Sequence, residues 1–270
     1  MKCMTKLFSL LLFPILALPY STGAQEETCG GPNTSFKEGE RVQYKVYYNV
    51  GMVWAAAGEA IFTTSKENFN GRPAYHVIGD GRTFKNYDWI FKVRDRYESF
   101  IDAETLLPLR FTRDVSEGKI NFKNRVDFNH RTGQATSTNG AFAISKCVQD
   151  VLSAIYYARN IDYAKYKPGA QIPFKMFLDD KVYNLSIKYG GREKVETRWG
   201  TFNAFKISPS LIAGTIFKGG DEMTVWMGDD KNRLPVRIQS PIIVGSVKVD
   251  LVDATGLRAP MSSLIRRNRE

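Results

Sequence analysis

The residues of this chain best equipped for chemistry are three cysteines, two histidines and a recurring set of aspartates and arginines. His76 lies between Tyr75 and Val77 in an alternating run, so it points away from their face. His130 sits in a turn beside Arg131 and Gly133. Both read as surface residues rather than general bases, and two scattered histidines do not make a histidine-rich metal site. No metal and no other cofactor is expected. The chain holds no Gly-x-Ser-x-Gly elbow and no P-loop, and Gly79-Asp80-Gly81 is too short for a dinucleotide loop. Asp95 and Asp221, like Arg110 and Arg237, stand at corresponding places in two similar stretches. Paired carboxylates can do acid–base work, but strand-to-strand ion pairs and turn caps account for these residues more simply. An enzyme is therefore the least supported class.

The cysteines point to a compartment. Residues 1–24 have the form of a secretory signal peptide, cleaved near Ala24. Lys2 and Lys6 form a basic start, and Leu7 to Leu18 is a mostly apolar run interrupted by Pro14. That run is too short to span a bilayer. Cleavage removes Cys3 and leaves Cys29 and Cys147, an even pair in an oxidising compartment. A structural Cys29–Cys147 disulfide is the expectation, with two free thiols as the alternative. The protein is expected to be exported to the periplasm and soluble there, not transmembrane.

The elements that must position these residues are mostly strands. In 41–48, Val42, Tyr44, Val46 and Tyr48 alternate with Arg41, Gln43 and Lys45. In 119–128, Ile120, Phe122, Val126 and Phe128 alternate with polar neighbours, as do Ile172, Phe174, Met176 and Leu178 in 171–178. Period two with one apolar face marks antiparallel sheet. Turn signals separate the runs at Asn70-Gly71, Glu117-Gly118, Asp179-Asp180, Gly190-Gly191 and 229–232. The spacing predicts an all-β antiparallel meander of about twelve strands, forming a barrel or half-barrel. One helix is predicted over 146–160, with Val148, Val151, Leu152, Ile155 and Tyr156 on one face. Ser145 would cap its first turn, and Arg159 would sit at the negative end of its dipole.

Similar sequence flanks the helix. Phe36-Lys37-x-Gly39 is answered by Tyr166-Lys167-x-Gly169, and Phe91-Lys92-x-x-Asp95 by Phe217-Lys218-x-x-Asp221. Leu107-Pro108-Leu109-Arg110-Phe111 is answered by Leu234-Pro235-Val236-Arg237-Ile238. The order is conserved along both stretches, which predicts a tandem duplication. The divisions are a 25–35 arm, a first repeat 36–130, a connector 131–165, a second repeat 166–256 and a basic tail 257–270.

A barrel of about eight strands fills with its own side chains, and a larger one must flatten, admit a helix or keep a cavity. Turns expected at one end are apolar: Met52, Val53 and Trp54; Ile212, Ile216 and Phe217; Ile242 and Ile243. These eight residues are the candidate binding site for a ligand or partner, unless they are strand ends buried against the other half. The formal net charge of +10 is spread along wet strand faces rather than clustered. Export disfavours nucleic acid, and anionic lipid or envelope polymer suits the charge better. Two functions follow. One is binding of an apolar or amphipathic cell-envelope molecule, such as a lipid. The other is a non-enzymatic structural or adaptor module docking on an envelope protein. The oligomeric state is left open.

The chain resembles the bacterial domain of unknown function 3108 family. The carrying segments are Phe36-Lys37-Glu38-Gly39-Glu40, the run from Val148 to Arg159, and Thr224-Val225-Trp226-Met227-Gly228-Asp229-Asp230 with Leu234-Pro235-Val236. The loop from Asn49 to Trp54 and Cys29 before Gly30 look like the version common in Bacteroidetes. The resemblance implies an exported, β-rich protein with no established activity, and it transfers no catalytic residue.

Overall fold

The structure, a computed structural model, describes residue 29 and residues 31–50, 53–212, 223–242 and 245–268. Segment 1–24, expected to be a signal peptide, and Met52, Ile216, Phe217, Asp221 and Ile243 lie outside the described residues.

Two six-stranded meanders make up the molecule. The first runs β1 (Arg41–Val50), β2 (Val53–Phe69), β3 (Arg72–Thr83), β4 (Arg94–Asp102), β5 (Pro108–Glu117) and β6 (Ile120–Asn129). Three short strands follow: β7 (Gln134–Ser137), β8 (Gly140–Ala143) and β9 (Val148–Gln149). After helix α1 (Val151–Asn160) come β10 (Gln171–Leu178), β11 (Lys181–Glu196), β12 (Gly200–Pro209), β13 (Thr224–Gly228), β14 (Pro235–Pro241) and β15 (Ser246–Thr255). A last strand, β16 (Leu264–Arg267), pairs with the start of β12. The 16 strands exceed the expected twelve because β7, β8, β9 and β16 have four residues or fewer, too few to show a period.

All strands belong to one sheet, in the order β8 to β1 and then β15 down to β9. β1 pairs antiparallel with β15 and so joins the two meanders. The sheet curls but does not close, since its edges, β8 and β9, have no ladder between them. Side chains bridge this seam. Phe177 meets Phe128 and Phe142 at 5.9 and 6.1 Å between ring centres. Asn139 donates to Asp180 at 2.6 Å, and Arg113 pairs with Asp179.

Two local expectations are corrected. The helix begins at Val151 because Val148 and Gln149 pair in parallel with Lys175 and Met176 of β10. Its N-cap is therefore Asp150, not Ser145. Asp150 accepts from the Ser153 backbone N–H at 2.8 Å, and the Ser153 hydroxyl oxygen accepts from the Asp150 N–H at 2.8 Å. Gly190-Gly191 is a bulge inside β11 rather than a turn, with the register shifting between Tyr189 and Gly191. The other hairpin signals match the observed turns. Asn70, Gly71, Asp179 and Asp180 all have positive φ, as two-residue hairpins require.

The helix lies inside the curl and divides it. On one side Leu152 and Tyr156 pack with Phe36, Val77, Ile101, Phe111, Val126, Phe128 and Phe177. On the other, Tyr157 and Ala158 face a cluster of Tyr163, Ile172, Ile187, Tyr189, Phe205 and Ile207. A third cluster, Val42, Tyr44, Phe202, Leu234, Val236 and Leu251, spans the junction of the two meanders. The arm before β1 runs along the helix: Phe36 is edge-on to Tyr156 at 4.7 Å, and Thr34 donates to Asn160 at 2.7 Å. The Cys29–Cys147 disulfide ties the start of this arm to the residue before β9.

Candidate functional site

The second meander encloses an apolar cavity of about 390 Å³. Its walls are Val42, Tyr44 and Val46 of β1, Ala60 and Phe62 of β2, and residues from each of β10 to β15. Helix α1 forms the remaining side through Ala154, Ile155, Tyr156, Ala158 and Arg159. The inner face of a strand is apolar here because period two places Val42, Tyr44 and Val46 on it together. Ala154 and Ala158 leave the space: one helical turn apart, they present methyl groups where larger side chains would fill the curl.

Several wall residues are half-buried although they point inward, among them Phe62, Ala154, Ala158, Phe174, Met223, Ile238 and Val249. Core side chains in a filled barrel would be fully buried. The cavity is therefore an accessible space. One end of it reaches Pro209, at the end of β12, and Met223, just before β13.

The charged part of the wall is already paired. Arg159 forms hydrogen bonds of 2.6 and 2.8 Å with Glu40. It also donates to the carbonyls of Ser35 and Asn232. The Tyr156 hydroxyl lies 3.0 Å from that of Thr64, and burial with the nearby Glu40 charge pushes its pKa up to about 12. Burial also raises that of Tyr44. Among the described residues the wall thus presents no free charge at neutral pH, which favours apolar contents.

Strand pairing fixes where the sequence-predicted site residues fall. Asn49 of β1 opposes both Trp54 of β2 and Ser246 of β15, so the β1–β2 and β14–β15 turns are neighbours. Gly245 makes their approach possible: its φ is +83°, and a Cβ there would lie 2.1 Å from the Asn49 carbonyl. Antiparallel order puts the 210–223 connection at the same end, with those at 84–93, 118–119 and 179–180. Val53 is 71% exposed, and Trp54 is half-buried with the Lys248 ammonium 4.5 Å from its ring centre. Ile212 and Ile242 are half-buried. None of these four described residues lines the cavity. The lining was missed because it comes from inward positions of eight strands and two helix alanines. Ala154 and Ala158 at i, i+4 were the readable signal.

The remaining candidates are explained by packing. Arg110 and Arg237 pair across strands with Asp127 and Asp250, both at 2.6 Å. His76 bridges Glu67 and Glu98 at 2.9 Å each and stacks on Phe100 at 4.1 Å. His130, like His76, is half-buried rather than a surface residue: it stacks on Phe128, bonds the Pro108 carbonyl at 2.9 Å, and has its pKa lowered by burial. Asp95 accepts from the Ser116 N–H and lies beside Glu117, whose pKa burial and the Asp95 charge raise to about 7. Among the described residues no group of three or more His, Cys, Asp or Glu is arranged to hold a metal ion. No helix among them is long and apolar enough to cross a membrane.

A solved structure shares this architecture. A β-barrel-like protein of the domain of unknown function DUF1849 from Brucella abortus superposes with a TM-score of 0.53 at 12% identity, covering 80% of this chain and 96% of that one. A candidate exported protein with a YmcC-like fold from Bacteroides fragilis aligns at 10% identity over 84% of this chain and 98% of its own, with a TM-score of 0.33. No curated protein matches the chain. Residues 43–252 match the family described as protein of unknown function DUF3108, and the chain belongs to that family.

Proposed function

We propose that this protein is an exported carrier that binds an apolar or amphipathic cell-envelope molecule in the cavity beside α1. The cavity itself carries the reading. Ligand sites commonly occupy about 300–1,000 Å³, are mostly apolar and lie within barrels or between elements. An engineered apolar cavity of about 150 Å³ stays dry and takes benzene. A space of about 390 Å³ suits a larger group, such as part of an acyl chain or a fused ring system. The Cys29–Cys147 disulfide supports export, since such bonds persist in oxidising compartments. The like order of β1–β6 and β10–β15 supports a tandem duplication in which only the second copy keeps the space.

The test is native mass spectrometry of protein purified gently from its own cells. A reproducible adduct, lost on denaturation and absent from Ala158→Phe, is the expected result. A bare mass, together with no binding of the apolar dye 1-anilinonaphthalene-8-sulfonate that Ala158→Phe abolishes, would overturn the reading.

A second reading, an adaptor docking through the turns at one end, is favoured by the exposure of Val53 beside Trp54. Loss of a stoichiometric partner on Trp54→Asp would support it.

A further inference from the structure

We propose that the β3–β4 connection is a membrane-docking tip that seats this end of the molecule on an anionic lipid surface. It rests on a feature separate from the cavity. Trp89, Ile90 and Phe91 are 83%, 61% and 49% exposed, three consecutive large apolar side chains in one exposed turn. Ile120 and Phe122, at the start of β6, are also exposed. The two segments meet, because the Gly118 N–H donates to the Lys92 carbonyl at 2.8 Å. Gly118 has φ +58°, and a Cβ there would lie 2.9 Å from the Phe91 ring, so glycine serves both turn and contact.

The tip is held in its exposed conformation. Asp88 pairs with Arg94 at 2.7 Å and accepts from the Thr83 hydroxyl at 2.8 Å. The Trp89 indole N–H donates to the Asn86 carbonyl at 3.0 Å. Exposed apolar clusters of this kind mark interaction surfaces.

Charge selects the occupant. Lys85, Lys92 and Lys119 stand around the apolar residues, and no carboxylate among the described residues pairs with them. Of the carboxylates nearby, Asp88 pairs with Arg94 and Asp114 with Lys123, while Asp95 and Glu117 lie together at the base of the tip, where burial and the Asp95 charge raise the Glu117 pKa to about 7. An exposed apolar turn flanked by lysines suits the bilayer interface, where tryptophan settles at headgroup level and lysines meet anionic phosphates. A protein partner would more often offer a pocket with matching carboxylates. The tip lies at the same end as the β12–β13 connection that flanks the cavity at Pro209 and Met223.

The test is co-sedimentation of the full protein with vesicles of phosphatidylethanolamine and phosphatidylglycerol, and with phosphatidylcholine vesicles. Wild type should bind the anionic vesicles, more weakly as salt rises, and Trp89→Asp/Ile90→Asp should bind at least ten-fold less. Lys85→Glu/Lys92→Glu/Lys119→Glu should lose roughly a hundred-fold on anionic vesicles, at about 1 kcal/mol per lysine removed, and little on phosphatidylcholine. Unchanged circular dichroism and thermal midpoint would show that these exposed positions leave the fold intact. Ala158→Phe should bind vesicles as wild type does, so failure of the cavity reading leaves this test standing. Equal binding by wild type and Trp89→Asp/Ile90→Asp would overturn the proposal. So would a wild-type dimer that this variant dissociates, with no vesicle binding by either.

Discussion

Arg159, near the end of α1, and Glu40, just before β1, form a two-hydrogen-bond ion pair whose side chains are 2% and 1% exposed. It fastens three segments at once, because the same guanidinium holds the carbonyls of Ser35 in the arm and Asn232 in the β13–β14 turn. Its ring neighbours are Phe36 and Tyr156, at 5.5 and 5.0 Å. Removing one partner would strand the other charge in an apolar setting, which costs about 3–5 kcal/mol. Arg159→Met and Glu40→Gln should each lower stability by about that much in urea denaturation. The double variant should lose less than the sum, because no unpaired charge remains. Strict additivity would refute the coupling.

The disulfide makes a separate contribution. Its half-cystines are 118 residues apart, and a loop of that length corresponds to about 4–5 kcal/mol in the chain-entropy treatment. Reduction, or Cys29→Ser with Cys147→Ser, should lower the denaturation midpoint by up to that equivalent. The reduced wild type and the double variant should agree. The fold should persist after reduction, since Phe36 and Arg159 still dock the arm. A reduced protein as stable as the oxidised one would show that the bond only marks the compartment.

Asp150 gives a pH signature. It caps α1 while fully buried, and burial raises its pKa to about 6 despite hydrogen bonds from Ser99 at 2.6 Å and from Ser153. An unfolded aspartate titrates near 3.9. Because the folded value is the higher, the unfolded chain releases its proton first. This residue's contribution is therefore complete below about pH 4 and is lost as pH rises to about 6, by roughly 3 kcal/mol. Glu117, raised to about 7, acts in the same direction over a higher range. Glu98, Asp88 and Asp180 oppose them in acid, since their lowered pKa values favour the ionised folded form. Wild type should be less stable at pH 7.5 than at pH 5, and Asp150→Asn should shrink that difference. A variant with an unchanged pH slope would refute the assignment.

How far the sequence reached is clearest around the helix. Alternation revealed strands such as β1, β6 and β10, and turn signals with the internal similarity supplied the count of about twelve; β12, buried on both faces, shows no wet side. The apolar spacing revealed the helix but not its start, since Val148 and Gln149 fit a helical face as well as a strand. Arg159 read as a cation at the negative end of the helix dipole. Its burial depends on Glu40, 119 positions earlier, and no local pattern carries that. The cavity was anticipated as a consequence of strand number, whereas its walls became visible only once the curl brought eight strands together. The exposed tip was hidden because Trp89-Ile90-Phe91 looks like the centre of a strand.

The cavity gives the sharpest test of whether the space persists in solution. An apolar void costs stability through lost contacts on its walls, and filling it should recover some of that. Ala154→Leu adds three carbons beside Ile155 and Tyr156, toward open volume. At about 0.8 kcal/mol per buried CH₂, less some strain, it should stabilise the ligand-free protein by about 1–2 kcal/mol. If the strands close onto the helix instead, the same change overpacks the core and costs about 1–3 kcal/mol. The sign of the shift in the urea midpoint decides between the two. Loss of dye binding together with a gain in stability would identify a space kept open at the expense of stability, the pattern expected of a binding site.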